Sequence, residues 1–408
     1  MAVIDRSVFT YFKWNDEEEF IQFTRMNFQA FEYLYTLVHA ALIKRSIRPA
    51  LPPKLRLSLT LKTRHKVYFI GLLLGITVLY NEFLAYEIQA FKWSLRKCTD
   101  CVTVLLIADP QILGYQNENY KGSAWAMWDS DRYLKKTFSR AVSRTQPDVI
   151  VFLGDLMDEG HIANAEDFEK YKRRLAHIFD TPDHIMKIYL PGDNDIGGEE
   201  DMVSSHIHER FNYAYTQSDT LVYSTATFFK VNRLTKTIPA APKEAFLNDY
   251  AERNTTNVVL SHMPLLFMPG TFVQNVLKEL SPQIIFTAHE HKAMHMSLDT
   301  ATDQLSEIWI LPPHKTPLYQ LRLDMGDIHE IQIPTCSYRM GTPNMGYGLA
   351  YIDTQEKTLD FTILWLPERF YQIWIYLYVL GAAFLFSIFF LICSTCMSNH
   401  IAYSRVPI

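Results

Sequence analysis

Cysteine is scarce in this chain, with five residues in 408. So few do not make a disulfide framework. Cys98 and Cys101 form a C-x-x-C, but no second pair lies nearby to complete a zinc site, which leaves a local disulfide or two free thiols. Internal repeats and low-complexity tracts are absent, which argues against a repeat array. Also missing is an early apolar run with a small-residue cleavage site, so no signal peptide is expected. Acids are missing between Lys44 and Lys66, where eight bases fall.

The net charge of −5 hides an asymmetry. Residues 1–66 hold eleven Lys and Arg against six Asp and Glu, so the remainder carries −10. The basic stretch stops at Val67, where "VYFIGLLLGITVLY" and then "NEFLAY" supply the roughly 20 apolar residues that a bilayer crossing needs. Glu82 lies near the outer end, where an acid is tolerated better than at the centre. A second run, Phe370 to Cys393, has no charge, the pattern of a spanning helix rather than a buried core helix. The basic flank puts the N-terminus in the cytosol by the positive-inside rule, with the middle of the chain in the lumen and the tail back in the cytosol. Nucleic-acid binding would also use such a basic run. Topology accounts for the same charges, and no nucleic-acid partner is expected. The sequon Asn254-Thr255-Thr256 falls in the proposed lumenal part. Cys393 and Cys396 sit at the cytosolic end of the second run, where S-acylation would be feasible.

Between the two runs, "TVLLIAD" (103–109), "DVIVFLGD" (148–155), "MKIYLPGD" (186–193), "NVVLSH" (257–262) and "QIIFTAH" (283–289) are short apolar stretches ending in Asp or His. Such runs suit strands buried on both faces. Charged, helix-like stretches separate the first three, so an α/β arrangement is expected, with the chemistry at the carboxyl ends of the strands. "EIQIPT" and "GLAYIDTQEKTLDFTILWL" alternate more and read as a closing antiparallel part.

Five such ends offer Asp109, Asp155, Asp193, His262, His289 and His291. Carboxylates on adjacent strand ends repel unless a cation lies between them. Oxygen and imidazole ligands in this number fit two divalent first-row metals, with manganese, iron and zinc all compatible. A binuclear site activates a bridging water and clamps the oxygens of a phosphoryl group. A single Asp at a strand end would be read as a helix N-cap; five aligned ends call for another reading.

With "DPQ" at 109–111, "GDLMD" at 154–158, "GDND" at 192–195, "SHMP" at 261–264 and "AHEH" at 288–291, the chain resembles the calcineurin-like metallophosphoesterases. Their pattern runs D-x-H, GDxxD, GNH(D/E), a lone His and GHxH, and the likeness spans about residues 101–350. "DIGG", "SHMPL", "IPTCSYRMGTPNMGYGLAYID" and the two-span layout narrow it to the membrane-anchored, GPI-remodelling (metallophosphoesterase-1 type) family. That resemblance implies a four-layer fold, a β-sandwich flanked by helices, with two transmembrane helices. It implies Asp109 and His291 on a first metal, Asp155 bridging, and His262 and His289 on a second. It further implies manganese, attack by a metal-bridging hydroxide, and removal of ethanolamine-phosphate from a GPI mannose. The expected organisation is a cytosolic basic segment 1–66, a first span 67–88, a lumenal metallophosphoesterase domain 89–369, a second span 370–394 and a cytosolic tail 395–408.

The departures from the pattern concern chemistry. Gln111 stands where many members have a histidine, and would be a weak neutral ligand or none. Asp193 replaces an asparagine ligand and adds a negative charge. Asn194 replaces the histidine that donates a proton or stabilises the transition state; Asp195, next to it, completes the loop as a partner of the metal ligands. Losing a general acid costs about 10²- to 10⁴-fold, so an active but altered enzyme is expected, with Asn194 and Asp195 as its catalytic-loop residues.

Tyr115, Trp125, Trp128 and Tyr133 are read as core packing rather than a sugar-binding wall, and His161, His206, His208 and His314 as solvated rather than facing the phosphate. Residues 23–62 separately resemble the leader of Harbinger-type transposase-derived proteins; taken alone they read as an amphipathic helix and a basic linker. The tail lacks a lysine-rich ending, and "YSRV" (403–406) fits a sorting signal, so a Golgi or ER–Golgi membrane is expected. The substrate class is a phosphorylated glycolipid or glycoprotein. A Golgi phosphomonoesterase acting on a protein or glycan, and a metal-binding pseudoenzyme serving as a cargo adaptor, stay open as alternatives.

Overall fold

Apolar stretches without polar alternation make stable strands only where both faces are covered, and the fold covers them. The computed structural model describes residues 26–42, 68–118, 120–198, 202–239, 255–313 and 315–403. After α1 (Phe28–Leu42) and α2 (Tyr68–Phe91) come β1 (Val102–Ile107), α3 (Ser123–Thr145), β2 (Val149–Phe152), α4 (Ala165–Ile178) and β3 (Met186–Tyr189). Next are α5 (Asp193–Ile196), α6 (Ser205–Ala214), β4 (Thr220–Tyr223), β5 (Ala226–Lys230), β6 (Thr256–Leu260), α7 (Thr271–Leu280) and β7 (Ile284–Thr287). Then follow β8 (Met294–Asp299), β9 (Gln304–Ile310), β10 (Tyr319–Arg322), β11 (Asp327–Gln332), β12 (Gly346–Asp353), β13 (Thr358–Trp365) and α8 (Arg369–Tyr403).

Two mixed sheets result, ordered β10-β13-β12-β1-β2-β3 and β4-β5-β6-β7-β11-β8-β9. In β1 the two-residue period splits the side chains. Val102, Val104 and Leu106 join a core with Phe228, Val258, Leu260 and Phe286 of the second sheet. Leu105 and Ile107 face the opposite way, onto Leu134 and Phe138 of α3 and Phe168 of α4. The outer face of the second sheet is covered by Val273, Val276 and Leu280 of α7. The fold is therefore an α/β sandwich with helices on both outer faces, and each internal strand is buried on two sides.

Helix α4 shows how the sequence makes these layers. Asn164 caps it by accepting from the Asp167 backbone N–H at 2.9 Å. Phe168, Tyr171, Leu175 and Ile178 recur at helical spacing and form its buried face.

Two readings need correcting. Strand β11, which contains the "EIQ" of "EIQIPT", is parallel to β7 and antiparallel to β8, so it belongs inside the second sheet. Strands β12 and β13 form the antiparallel closure on β1, and β10 extends it. Of the aromatic cluster, Tyr133 is core, but Tyr115, in the loop after β1, and Trp125 and Trp128, in the first turns of α3, are exposed. Cys98 and Cys101 are joined as a disulfide, and Cys336 is a buried free thiol.

Two compact units divide the chain, Phe83–Gln372 and a second comprising Met1–Glu82 with Ile373–Ile408. Helices Tyr68–Phe91 and Arg369–Phe389 are long and apolar enough to cross a membrane. Within the second unit Tyr376 Oη donates to Glu82 Oε1 at 3.0 Å, giving the one acid of the first run a partner. Residues 23–25 and 43–62 of the leader-like segment, the whole basic run, Asn254, His314 and Ser404 onward lie outside the described residues.

Candidate active site

Each candidate ligand follows a strand of the sandwich: Asp109 after β1, Asp155 after β2, Asp193 after β3, His262 after β6, and His289 and His291 after β7. The chain turns sharply at these points. Among the described residues eleven non-glycine positions have positive φ, and five of them are Asp109, Gln111, Asp155, His289 and His291. Such conformations cost of order 1–3 kcal/mol each and persist where the surroundings over-determine them. A plain helix N-cap sits in extended backbone and needs none of this strain.

Ligand atoms of Asp109, Asp155 and His262 lie within 4.8 Å of one another, and so do those of Asp193, His262 and His289. The two clusters meet at His262. Its Nδ1 lies 2.9 Å from the Leu153 carbonyl oxygen, to which it donates, leaving Nε2 2.9 Å from Asp193 Oδ1 and 3.5 Å from Asp155 Oδ1. His289 Nδ1 reaches the same Asp193 oxygen at 3.1 Å. Gly154 permits the approach: at φ +106° any Cβ there would stand 2.6 Å from His262 Nδ1.

Three buried carboxylates dominate the electrostatics. Burial works to lower the His262 pKa, but Asp155, the hydrogen bond to Asp193 and Asp109 push the imidazole up to about 10. Burial raises Asp109, only partly opposed by His262. For Asp193 burial also acts upward, yet the hydrogen bonds from His262 and His289 carry it well below the usual carboxylate range. The cluster thus draws positive charge to itself. Divalent cations fit it on two further counts. Asp109 is fully buried, and among the described residues nothing hydrogen-bonds to its Oδ2. His262 has the backbone-anchored tautomer that leaves the other ring nitrogen for a metal. Asp193, His262 through Nε2 and His289 would hold one cation, and Asp109 and Asp155 the other.

The remaining candidates take different positions. His291 joins neither cluster; burial lowers its pKa, while the charges of Asp155 and Asp193 act on it in the opposite sense. Gln111 presents its amide nitrogen, Nε2, which donates to Asp155 Oδ2 at 2.7 Å. Asn194 donates to Asp155 twice, from the backbone to Oδ1 at 3.0 Å and from Nδ2 to Oδ2 at 2.8 Å. Asp195 is fully buried and accepts from the backbone N–H groups of Leu156, Met157 and Gly192 at 3.0, 3.1 and 2.9 Å. It ties the Asp155 loop to the Asp193 loop and acts as a positioning residue.

His161, expected to be solvated rather than to face the phosphate, is a neighbour of the Asn194 loop. Its backbone N–H and Nδ1 both meet the Asn194 carbonyl oxygen, at 2.8 and 3.1 Å, so it is half-buried rather than solvated. The signal available was the proximity of His161 to "GDLMDEG", but the contact with Asn194 is tertiary. His206 is exposed, as expected, while His208 is half-buried with its Nε2 3.2 Å from Asn212 Nδ2.

An α/β sandwich that gathers acids and imidazoles at its strand ends is a setting in which divalent cations would bind. Residues 102–293 match the family described as Calcineurin-like phosphoesterase. It is similar to "Metallophosphoesterase 1 homolog" of Drosophila melanogaster, 29% identical over 29% of this chain and 33% of that protein. It is also similar to "Metallophosphoesterase 1 homolog" of Caenorhabditis elegans, 31% identical over 31% of this chain and 34% of that protein. The chain spans about a third of the length of these curated relatives. A solved metallophosphoesterase from Sphaerobacter thermophilus shares 10% identity over 64% of this chain and 87% of that one, with a TM-score of 0.34, too distant to carry an argument.

Proposed function

We propose that this chain is a membrane-bound phosphoester hydrolase dependent on two divalent metal ions, acting on a phosphorylated glycolipid or glycoprotein of the secretory pathway. The observation that carries the reading is the convergence of Asp109, Asp155, Asp193, His262 and His289 at the strand ends. When bound, the two cations would supply Lewis-acid stabilisation of phosphoryl charge and acidify water. The chain's own residues do the rest. Asp195 fixes the spacing between the Asp155 and Asp193 loops. Asn194 and Gln111 orient Asp155 by donating to it, and neither amide can deliver a proton to a leaving group.

The finer reading is a manganese enzyme in a Golgi or ER–Golgi membrane, with its catalytic domain in the lumen, its termini in the cytosol and ethanolamine-phosphate on a GPI mannose as substrate. Similarity to proteins named Metallophosphoesterase 1 and the two apolar helices support it. The Asn194 clamp supports a second reading, a metal-binding pseudoenzyme, since it replaces a proton donor with a positioning amide.

Full-length protein in detergent, supplied with manganese and offered a phosphomonoester and a phosphodiester, separates these readings. Turnover above an Asp155→Asn control supports the hydrolase. Bound metal without turnover on either ester supports the pseudoenzyme.

A further inference from the structure

Beyond the strand-end site, the basic groove between α3 and α4 carries a ligand-binding inference. We propose that it binds the phosphate of an anionic membrane-phospholipid headgroup. The groove has a volume of about 700 Å³, and six Lys and Arg line it, Arg132, Lys135, Lys136 and Arg140 from α3 with Arg173 and Arg174 from α4. Asp131 is the single acid in the lining, and Arg174 holds both of its oxygens, at 2.9 and 3.0 Å. Outside the lining, Glu87 answers Arg140 at 2.8 Å. Arg174 and Arg140 thus have acid partners, and Lys135 and Arg173 are exposed.

Lys135 Nζ of α3 donates to His177 Nε2 of α4 at 2.8 Å, and both residues are exposed. An anionic oxygen placed between these helices would meet donors from both walls, a geometry that suits phosphate.

The surroundings favour a lipid as the source of that phosphate. Helix α3 makes the contacts to the segments through which the chain leaves this unit toward the two apolar helices. Arg144 lies 4.3 Å over the Phe91 ring, Lys136 lies 5.1 Å over Tyr86, and Tyr133 Oη donates to the Pro367 carbonyl at 2.9 Å. Arg369, the first residue of α8, pairs with Asp129 of α3 at 2.5 Å. Near Asp129, at the N-terminal end of α3, Trp125 and Trp128 are 74% and 55% exposed, and Arg132 lies 5.3 Å over the Trp128 ring. Exposed indoles beside a basic pocket suit the headgroup layer, where tryptophan collects and basic side chains meet anionic lipid. A site for a soluble phosphate has no use for them. This inference rests on the membrane-spanning reading of the two helices and is independent of the hydrolase reading.

The test uses the full-length chain in dodecyl maltoside, with tryptophan fluorescence as the readout. Dioctanoyl phosphatidic acid, dioctanoyl phosphatidylcholine and glycerol 3-phosphate are titrated separately. The proposal expects a saturable response to phosphatidic acid and a much weaker one to the other two. In Lys135→Glu/Arg173→Glu the affinity for phosphatidic acid should fall at least tenfold, with the thermal melt unchanged. Both residues are exposed, so the fold should tolerate the change; if the melt is lost, Lys135→Gln alone should weaken binding in the same direction. Lys135→Arg/Arg173→Lys should bind like the natural chain. Undiminished binding in the charge-reversed variant would overturn the proposal, and an equal response to glycerol 3-phosphate would overturn the lipid source.

Discussion

Asn194 holds Asp155 at both carboxylate oxygens, with its backbone N–H on Oδ1 at 3.0 Å and its side-chain Nδ2 on Oδ2 at 2.8 Å. Gln111 adds a second amide to that Oδ2 at 2.7 Å. The two positions where the resemblance would place histidines therefore meet on one ligand carboxylate. What stands there orients Asp155 and supplies no proton. The predictions follow from that exchange of roles.

A histidine returned to position 194 should help only where the leaving group needs a proton. Asn194→His is expected to raise kcat on alkyl phosphates by about 10²-fold, the lower end of what a general acid contributes. On nitrophenyl esters, whose leaving groups depart unprotonated, it should change little. Asn194→Ala should slow both classes by about 10- to 100-fold, the equivalent of a hydrogen bond to a charged group at about 1.5–3 kcal/mol. Rates of both ester classes across the three proteins check this; equal effects of Asn194→His on both would count against it.

Gly154→Ala should damage the site through backbone rather than chemistry. Its φ of +106° and the 2.6 Å approach of a new Cβ to His262 Nδ1 leave no room. A loss of roughly 1–3 kcal/mol is expected from such strain, together with reduced metal content. Thermal melts and elemental analysis of the purified variant would show both. Wild-type metal content would mean that the His262 position is looser than its contacts indicate.

Asp195→Asn should uncouple the two ligand loops. Three backbone donors converge on the carboxylate, and an amide would turn an N–H group toward at least one of them. The cost is about 1–3 kcal/mol for a buried polar group left without a partner. As a positioning residue it should also lower metal affinity, which Asp195→Ala should do more strongly. A metal titration that matches the natural chain would exclude this role.

Acid sensitivity should arise away from the site. His329 Nε2 donates to the Arg322 carbonyl at 3.2 Å, so its Nδ1 accepts from His295 Nε2 at 3.2 Å, and His295 is fully buried. Burial, and then the neighbouring His329, lower His295 to about 4 from 6.5. A depressed folded pKa means that the unfolded chain binds the proton first. Stability is then full above pH 6.5 and is lost as the pH falls toward 4, by on the order of 3 kcal/mol for this group. Melting temperature against pH should flatten over that window in His295→Phe; an unchanged slope would refute the assignment.

Much of this frame was readable from residue order. The runs that became β1, β2, β6 and β7 are buried at nearly every position, so their continuous apolar character announced them, and the acid or histidine after each marked the site. Strands β9 and β10 mix polar with apolar residues and are not buried on both faces, and carried no such signal. Strand β11 was misplaced because alternation reveals a strand's faces but not the direction of its neighbours. At the site the ligand types were legible, while the Leu153 carbonyl behind His262, the amides on Asp155 and the contact between His161 and Asn194 were not. Each joins residues at least 33 positions apart through the fold.

The central claim is that these strand ends hydrolyse phosphoesters, and steady-state turnover tests it most directly. Full-length protein and its Asp155→Asn variant would be assayed side by side with manganese on bis-nitrophenyl phosphate. The natural chain should exceed the variant by at least about 10²-fold, because the substitution removes a charged ligand from the centre of the cluster. Equal rates, with metal bound to the natural chain, would contradict the hydrolase and leave a metal-binding protein in its place.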